Sequence, residues 1–404
     1  MPSRSERGTW AALSGDMGSE SLTAAILGLN DGGQRLLQAA ASTGCFQIKA
    51  VADLDPQKAE KAAAEHHCDA YSDYRQLIVQ NQIDCLLVAA ETYTCDEQLR
   101  GAIRKKVNVL KLAPPARTFE ETLEYVRMAE SEGVQFAVAN PARFQGSFMA
   151  AHEMITQGRL EHPFLISASC SFSAADRSGW RADPGPQTRR VAFGSPTTLA
   201  GGGVLLHDCY PLIDQLLASF SLPEQVYALK TNQAPDKQQR LYLTEDTALV
   251  SMRFTDALMG SVVATRRNDI GPHRISVEIH ANQARLTVTQ DQVEFRTRDG
   301  QNDLKWQYDE DEQVATGRLL TSFARSLRAP QEHPFAGSGA ECLRTMAVLE
   351  SAYLSAKTGF PEEPARILRL GGARPMQNAA VGGLGQVFDT GSARGYSDAV
   401  NRKS

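Results

Sequence analysis

The 404-residue sequence has little that would mark a membrane, secreted or nucleic-acid-binding protein. No apolar run approaches the roughly 18 residues that a membrane-spanning helix needs, and residues 1–20 lack the apolar core of a secretory signal. With 42 basic and 47 acidic residues the formal net charge is −5, so the chain has no basic excess to attract nucleic acid. We therefore expect a cytoplasmic protein without membrane or nucleic-acid partners, for which Met17 is an alternative start.

The sequence also lacks an ordered cysteine pattern. Its seven cysteines are scattered and no C-x-x-C pair occurs, which excludes a zinc ribbon and a thioredoxin-type motif. His66 and His67 lie beside Cys68 but have no further candidate ligands nearby in the sequence. We expect reduced, mostly buried cysteines and no metal site.

Apolar runs and helical patterns alternate through the first half of the chain. Because this alternation is typical of a parallel sheet with helices on both faces, it predicts an α/β Rossmann domain. The strand-like runs lie at residues 22–28, 47–52, 84–90, 107–112 and 134–139. Thr118 and Glu121 form a capping box for a helix that Gly133 ends.

The second half predicts a different architecture. After a helix at 146–157, short strands follow one another, which indicates an α+β domain with a large, mainly antiparallel open sheet. The strand-like runs lie at residues 164–172, 224–231, 247–254, 259–265, 274–280, 284–289 and 292–296, and late helices fit 313–327 and 340–357.

Four segments follow from these patterns. The Rossmann domain is predicted at 21–142 and the C-terminal substrate and oligomerisation domain at 143–370, between flexible tails at 1–20 and 371–404. Inside the second domain, the stretch 173–200 is long and rich in glycine, proline and serine. It is either a lid over a site or a flexible insertion.

Residues 28–33, with the sequence GLNDGG, occupy the strand–turn–helix position where a dinucleotide fold carries G-x-G-x-x-G. Gly28 and Gly33 match the first and third glycines, Asn30 replaces the second, and Asp31 and Gly32 complete the turn. Asp53 follows Gly33 by 20 residues, where an acid binds the adenosine ribose and repels a 2′-phosphate. The pattern favours NAD over NADP; the alternative is a Rossmann-like domain that no longer binds a nucleotide.

At this point the chain resembles the glucose–fructose oxidoreductase / inositol dehydrogenase (Gfo/Idh/MocA) family over residues 22–370. The resemblance implies a Rossmann domain, a C-terminal domain with a large open sheet, assembly as a homodimer or homotetramer, and NAD(P)-dependent oxidation or reduction of a sugar, polyol or related small molecule. The motifs that carry it are ADLDP (52–56), SDYRQLI (72–78), WRADP (180–184), GGGVLLHDCYPLID (201–214) and AECLRTMAVLESAYLSAKTG (340–359).

The chain departs from that family pattern at its proton-handling positions. Leu112 and Ala113 stand in place of the glutamate and lysine of the family's E-K-P. His207 and Pro211 stand where the family carries an aspartate and, four residues later, a histidine, and proline cannot transfer protons. The family's T-P-N turn is replaced by Ala90, Glu91 and Thr92, of which we assign Ala90 and Glu91 to the cofactor site.

Other residues are candidates for the missing chemistry. His207 is the predicted acid–base residue, supported by Tyr210 and by Lys111, which shares a strand face with position 113. Each candidate also has a purely structural interpretation. Lys111 is alternatively an ion-paired or snorkelling lysine at a strand end, and residues 207–210 are alternatively an ordinary helix start. The predicted substrate contacts are Arg143, for which an interdomain ion pair is the alternative, Trp180, Arg181 and Asp208.

Three functions remain open from the sequence. The first is an NAD-dependent oxidoreductase acting on CH–OH groups with an atypical acid–base set. The second is a catalytically degenerate nucleotide- or ligand-binding regulator, and the third is an NAD-dependent eliminase or glycosidase. Site chemistry rather than fold must decide among them.

Overall fold

A computed structural model describes residues 21–172, 197–233, 237–255, 257–266 and 274–372. The predicted N-terminal tail, nearly all of the predicted C-terminal tail and residues 173–196 of the long loop lie outside these ranges. Among the described helices, none is both long and apolar enough to cross a membrane.

The first sheet has six parallel strands in the order β3-β2-β1-β4-β5-β6. Its central strands are apolar and almost fully buried, as expected for a parallel sheet covered on both faces. The strands are β1 (Leu22–Leu27), β2 (Phe46–Ala52), β3 (Asp69–Tyr71), β4 (Cys85–Val88), β5 (Asn108–Leu112) and β6 (Phe136–Ala139).

Helices connect these strands, and local sequence signals set their ends. Thr118 caps the last of them through the Glu121 amide and Gly133 ends it in a left-handed conformation, as the sequence predicts. The helices are α1 (Asp31–Ser42), α2 (Pro56–His66), α3 (Tyr74–Gln80), α4 (Asp96–Arg104) and α5 (Phe119–Glu132).

The second sheet has eight strands in the order β14-β13-β12-β11-β7-β10-β9-β8. Only the β7–β10 pair is parallel; the other six pairs in the sheet are antiparallel, so the predicted fold class is confirmed. The strands are β7 (Pro163–Ser171), β8 (Gln225–Thr231), β9 (Thr247–Arg253), β10 (Met259–Thr265), β11 (Arg274–Ala281), β12 (Ala284–Thr289), β13 (Gln292–Thr297) and β14 (Leu304–Gln307).

The second half of the chain contributes seven described helices. They are α6 (Gly146–Thr156), α7 (Thr197–Ala200), α8 (Tyr210–Ser219), α9 (Lys237–Tyr242), α10 (Glu312–Arg328), α11 (Gly339–Thr358) and α12 (Pro364–Leu370), with a 3-10 turn at Pro141–Phe144 and a π-helical turn at Val204–Asp208. Of these helices, α11 packs against both β6 of the first sheet and β8 of the second.

The late helix α10 returns to the first sheet. Leu319, Leu320 and Phe323 of α10 share a core with Leu36 of α1 and with β1. The continuous unit predicted at 143–370 therefore contains a helix that completes the packing of the Rossmann layer, which apolar periodicity alone did not indicate.

Candidate functional site

A continuous cleft lies between the carboxyl ends of the first sheet's strands and the inner face of the second sheet. It consists of a cavity of about 380 Å³ and a neighbouring one of about 280 Å³. Ligands of open α/β folds bind beyond the carboxyl ends of the strands. The strand ends at 89–92 and 111–114 therefore predict a ligand site at this position. Both cavities are lined by Gly32, Arg35, Leu112, Ala113 and His207.

The glycine turn closes tightly at the start of the cleft. Gly28 has a φ of 87°, which favours glycine. A Cβ on Gly33 would lie 1.9 Å from the Gly28 carbonyl oxygen, so helix α1 and strand β1 approach more closely than any side chain at 33 allows. Both glycines therefore do what the dinucleotide pattern requires of them.

Asn30, in place of the middle glycine, ties the turn together. Its Oδ1 accepts a hydrogen bond from the Gly33 amide at 2.9 Å, and its Nδ2 donates to the Ala89 carbonyl at 2.8 Å. The side chain thus caps α1 and joins it to the end of β4. The helix amides that precede Gly33 belong to Asp31 and Gly32, which line the smaller cavity.

Asp53 is fixed against the same turn. Its Oδ2 accepts from the Leu29 amide at 2.6 Å and its Oδ1 from the Asp55 amide at 2.9 Å. The carboxylate therefore lies at the end of β2 beside the glycine turn, where a dinucleotide fold binds the adenosine ribose.

The smaller cavity also contains an unsatisfied polar atom. Thr92 is 6% exposed, and its Oγ1 has no hydrogen-bond partner within the described ranges. A buried hydroxyl without a partner is costly unless a ligand or water completes it. Together with the cradle at Gly32 and Gly33 and the acid at Asp53, this polar wall fits a dinucleotide.

Lys111 lies in the wall of the smaller cavity, almost fully buried. Its Nζ donates to the Leu112 carbonyl at 2.9 Å. Burial lowers the pKa of Lys111, and Cys95 and Glu91 oppose this only in part. A lysine of lowered pKa at the end of a strand is suited to proton transfer.

His207 lies where the two cavities meet, on the π-helical turn. Its Nε2 is 2.9 Å from the Ala200 carbonyl oxygen. Because a carbonyl only accepts, Nε2 carries the hydrogen, and in the neutral ring Nδ1 is the basic nitrogen.

Buried acids hold the turn that carries His207. Glu245 Oε1 accepts from the Gly203 amide at 2.9 Å and from the Leu205 amide at 3.1 Å. Asp208, next to His207, is paired with Arg266. These contacts fix the backbone on both sides of the imidazole.

Two family models match the chain in tandem. Residues 22–140 match the model described as "Oxidoreductase family, NAD-binding Rossmann fold", and residues 148–287 match the GFO/IDH/MocA C-terminal domain. Together they cover more than half of the chain. The chain belongs to the GFO/IDH/MocA oxidoreductase family. Its first domain is the family's NAD-binding Rossmann fold, so the resemblance and the cofactor class predicted from the sequence are confirmed.

Curated relatives are distant. The 2,7-anhydro-N-acetylneuraminate hydratase of Mediterraneibacter gnavus is 26% identical over 208 residues, 51% of this chain and 52% of the relative. The levoglucosan dehydrogenase of Pseudarthrobacter phenanthrenivorans is 23% identical over 257 residues, 59% of this chain and 64% of the relative. The chain thus matches about half to two thirds of the length of these relatives.

Solved structures of the family share the fold. A levoglucosan dehydrogenase in complex with NADH and levoglucosan superposes with a TM-score of 0.72 at 18% identity, covering 85% of this chain and 99% of that chain. At this identity the likeness concerns the architecture.

The cleft gathers most of the residues assigned to the GFO/IDH/MocA site. One catalytic candidate, Lys111, lines the smaller cavity; a second, His207, lines both cavities, and Asp208 lines the larger one. The cofactor candidates along the cleft are Asn30, Asp31, Gly32, Ala90 and Glu91, with Gly28, Gly33 and Asp53 in the turn behind them.

Two candidates lie elsewhere, and two are not described. Tyr210 is 1% exposed and lines neither cavity, so the structure does not bring this candidate to the cleft. Arg143 pairs with Glu341 at 2.8 Å and with Asp214 at 3.6 Å. Its side chain therefore forms the ion pair that was the alternative to a substrate contact, and it does not line the cleft. Trp180 and Arg181 lie outside the described residues.

Sequence reasoning missed two polar groups of the cleft, Thr92 and Asn140. Asn140 directly follows β6 and lines the larger cavity. Thr92 closely follows β4 and lines the smaller one. The strand-end rule applied to β6 as well as to β4 and β5 would have found Asn140.

Lys111→Met is expected to stabilise the protein at neutral pH. The unfolded chain binds more protons than the folded one as pH approaches the ordinary lysine value of 10.5, so wild-type stability rises with pH there. Methionine removes that cost, and its advantage should shrink as pH rises towards 10.5. Thermal unfolding across this pH range checks the prediction, with the exposed Lys58→Met as control. A variant less stable than wild type at pH 7 would contradict it.

Proposed function

We propose that the protein is an NAD-dependent oxidoreductase acting on a secondary alcohol, or the corresponding ketone, of a sugar, polyol or related small molecule. The observation that carries the proposal is the position of His207, at the junction of the two cavities and within reach of both. Bound NAD supplies hydride acceptance, so the protein must only bind, orient and move one proton.

The residues of the cleft divide these tasks. The amides of Asp31 and Gly32, at the start of α1, bind the pyrophosphate. His207 Nδ1 takes the proton from the substrate hydroxyl during oxidation and returns it during reduction. Lys111 supports the same oxygen from the end of strand β5. It takes over the role of the family's lysine, whose position is occupied by Ala113 in this chain.

A panel of sugars, polyols, keto acids and apolar secondary alcohols such as 1-tetralol tests the proposal, with formation or consumption of reduced nicotinamide as the readout. Turnover with any member supports it. If NAD binds and no member turns over, the regulator with a degenerate site becomes the better account.

A second candidate is an eliminase or hydratase in which NAD is not consumed. The relative from Mediterraneibacter gnavus, named a hydratase, favours it. Loss or gain of water with catalytic amounts of NAD, and no net reduced nicotinamide, would distinguish it from a dehydrogenase.

Asp53→Ala is expected to reduce the preference for NAD over NADP by about tenfold or more. The carboxylate is held at the ribose position by the amides of Leu29 and Asp55, and its charge opposes a 2′-phosphate. Calorimetric titration with both nucleotides measures the ratio. The control is Asp73→Ala, which removes the N-cap at the start of α3, distant in sequence from the glycine turn. Equal binding of NADP by the wild type would contradict the assignment.

We also propose self-association through the outer face of the second sheet. Leu229 on β8 is the register partner of Leu249 on β9, which in turn partners Val263 on β10, and all three are exposed. A contiguous apolar row on an exposed sheet face favours burial against a second copy.

Leu249→Lys is expected to convert a dimer or tetramer into monomers, because it places a charge in the centre of this row. Light scattering at micromolar concentration measures the state, with Leu304→Lys on the edge strand β14 as control. A monomeric wild type would refute the self-association.

A further inference from the structure

The larger cavity extends beyond His207 into an apolar lobe. Helices α6 and α8 form one wall and strands β11 and β12 form the other. The lobe is lined by Phe148, Ile155, Leu212, Leu216, Val277 and Ile279.

Within the described ranges, the charged groups of this cavity are already paired. Arg35 and Glu312 lie at its mouth and pair with each other at 3.2 Å, and Asp208 pairs with Arg266. The lobe therefore offers an incoming molecule apolar surface and no free countercharge. A molecule with a hydroxyl on every carbon would lose more water partners there than the few polar groups of the wall, such as Gln215, can replace.

The wall of the cavity also carries polar residues, among them Ser147, Gln215, Ser219, Thr289 and Asn140. Asn140 is 3% exposed and lines the cavity; its Nδ2 donates to the Pro211 carbonyl and to Asp214. Its Oδ1 has no hydrogen-bond partner in the part of the chain that the structure describes. A single donor on the ligand would satisfy this buried acceptor.

We propose that the substrate carries an apolar ring or branched alkyl group beside its reacting CH–OH group. The apolar group fills the lobe between α6, α8 and the second sheet, and one hydroxyl donates to Asn140 Oδ1. This inference rests on the proposed dehydrogenase function and names the substrate class of the same site. Oxidation balances as a secondary alcohol plus NAD⁺ giving a ketone, NADH and one proton, with His207 taking the hydroxyl proton.

Two secondary alcohols of similar size test the lobe. 1-Tetralol carries its carbinol on an apolar bicyclic body, whereas myo-inositol bears a hydroxyl on every carbon. Calorimetric titration of each into the protein saturated with NADH measures binding without turnover, since an alcohol and NADH cannot react. We expect 1-tetralol to bind at least about tenfold more tightly than myo-inositol.

A matched pair of variants locates the binding. Ala151→Leu adds bulk to the cavity wall and should weaken 1-tetralol at least about tenfold. Ala150→Leu, the neighbouring position on α6 outside the cavity lining, should leave it unchanged. Val288→Thr, which places a hydroxyl on the wall with little change of shape, should weaken it severalfold and keeps the test valid if Ala151→Leu does not fold.

The outcomes separate this inference from the proposed function. Equal or tighter binding of myo-inositol, or unaltered 1-tetralol affinity in both Ala151→Leu and Val288→Thr, would overturn the apolar-substrate inference and leave the dehydrogenase proposal standing. Failure of NADH to bind would refute the dehydrogenase proposal. Titration of 1-tetralol into the protein without nucleotide would still show whether the lobe binds an apolar group.

Discussion

His207→Ala is expected to lower kcat about a hundredfold or more while leaving NAD affinity unchanged. The imidazole lies where the two cavities meet, and its loss removes an interaction made mainly in the transition state. The measurement is steady-state turnover with the best substrate of the panel, together with NAD titration of the same variant.

The control for this experiment is His66→Ala. His66 lies in the last turn of α2, outside the lining of the cleft, and the described residues contain no group of three or more potential metal ligands around it. Its turnover should match the wild type. Full activity in both His207→Ala and Lys111→Met would show that the proton is carried by another group.

Gly33→Ala is expected to abolish measurable nucleotide binding and to destabilise the fold by about 1–3 kcal/mol. The added Cβ would lie 1.9 Å from the Gly28 carbonyl oxygen, and backbone on both sides would have to move. The Asn30 cap on the Gly33 amide would be displaced with it. Calorimetry with NADH and chemical denaturation measure the two effects.

Gly101→Ala is the matched control for this change. Gly101 lies inside helix α4, where a Cβ would meet only a side-chain methyl at 3.8 Å. Alanine should therefore stabilise that helix by about 0.5–1 kcal/mol and leave nucleotide binding intact. NADH affinity in Gly33→Ala equal to that of Gly101→Ala would remove the glycine turn from the binding site.

Much of the fold could be predicted because its signals are local. Buried runs at β1 and β4, the cap at Thr118 and the stop at Gly133 depend on neighbouring residues only, and each lies where the sequence places it. The short strands β3 and β14 carry too few residues for a period, and the sequence did not indicate them.

The site was predictable where it follows strand ends and not where side chains turn away from them. Lys111 reaches the cleft because strand β5 ends there, whereas His207 reaches it from the π-helical turn that precedes α8. Tyr210, three residues beyond His207, points into the core, and Arg143 meets Asp214 and Glu341 from distant helices. These orientations depend on tertiary packing, as does the apolar lobe, whose walls come from elements far apart in the chain.

A crystal structure of the protein with NADH tests the central claim most directly, namely that one cleft combines a nucleotide site with a relocated acid–base residue. The account predicts the pyrophosphate at the start of α1, the adenosine ribose on Asp53, and the nicotinamide ring at the cavity wall formed by Lys111 and His207. A nucleotide bound away from the glycine turn, or a nicotinamide ring beyond the reach of both side chains, would contradict it.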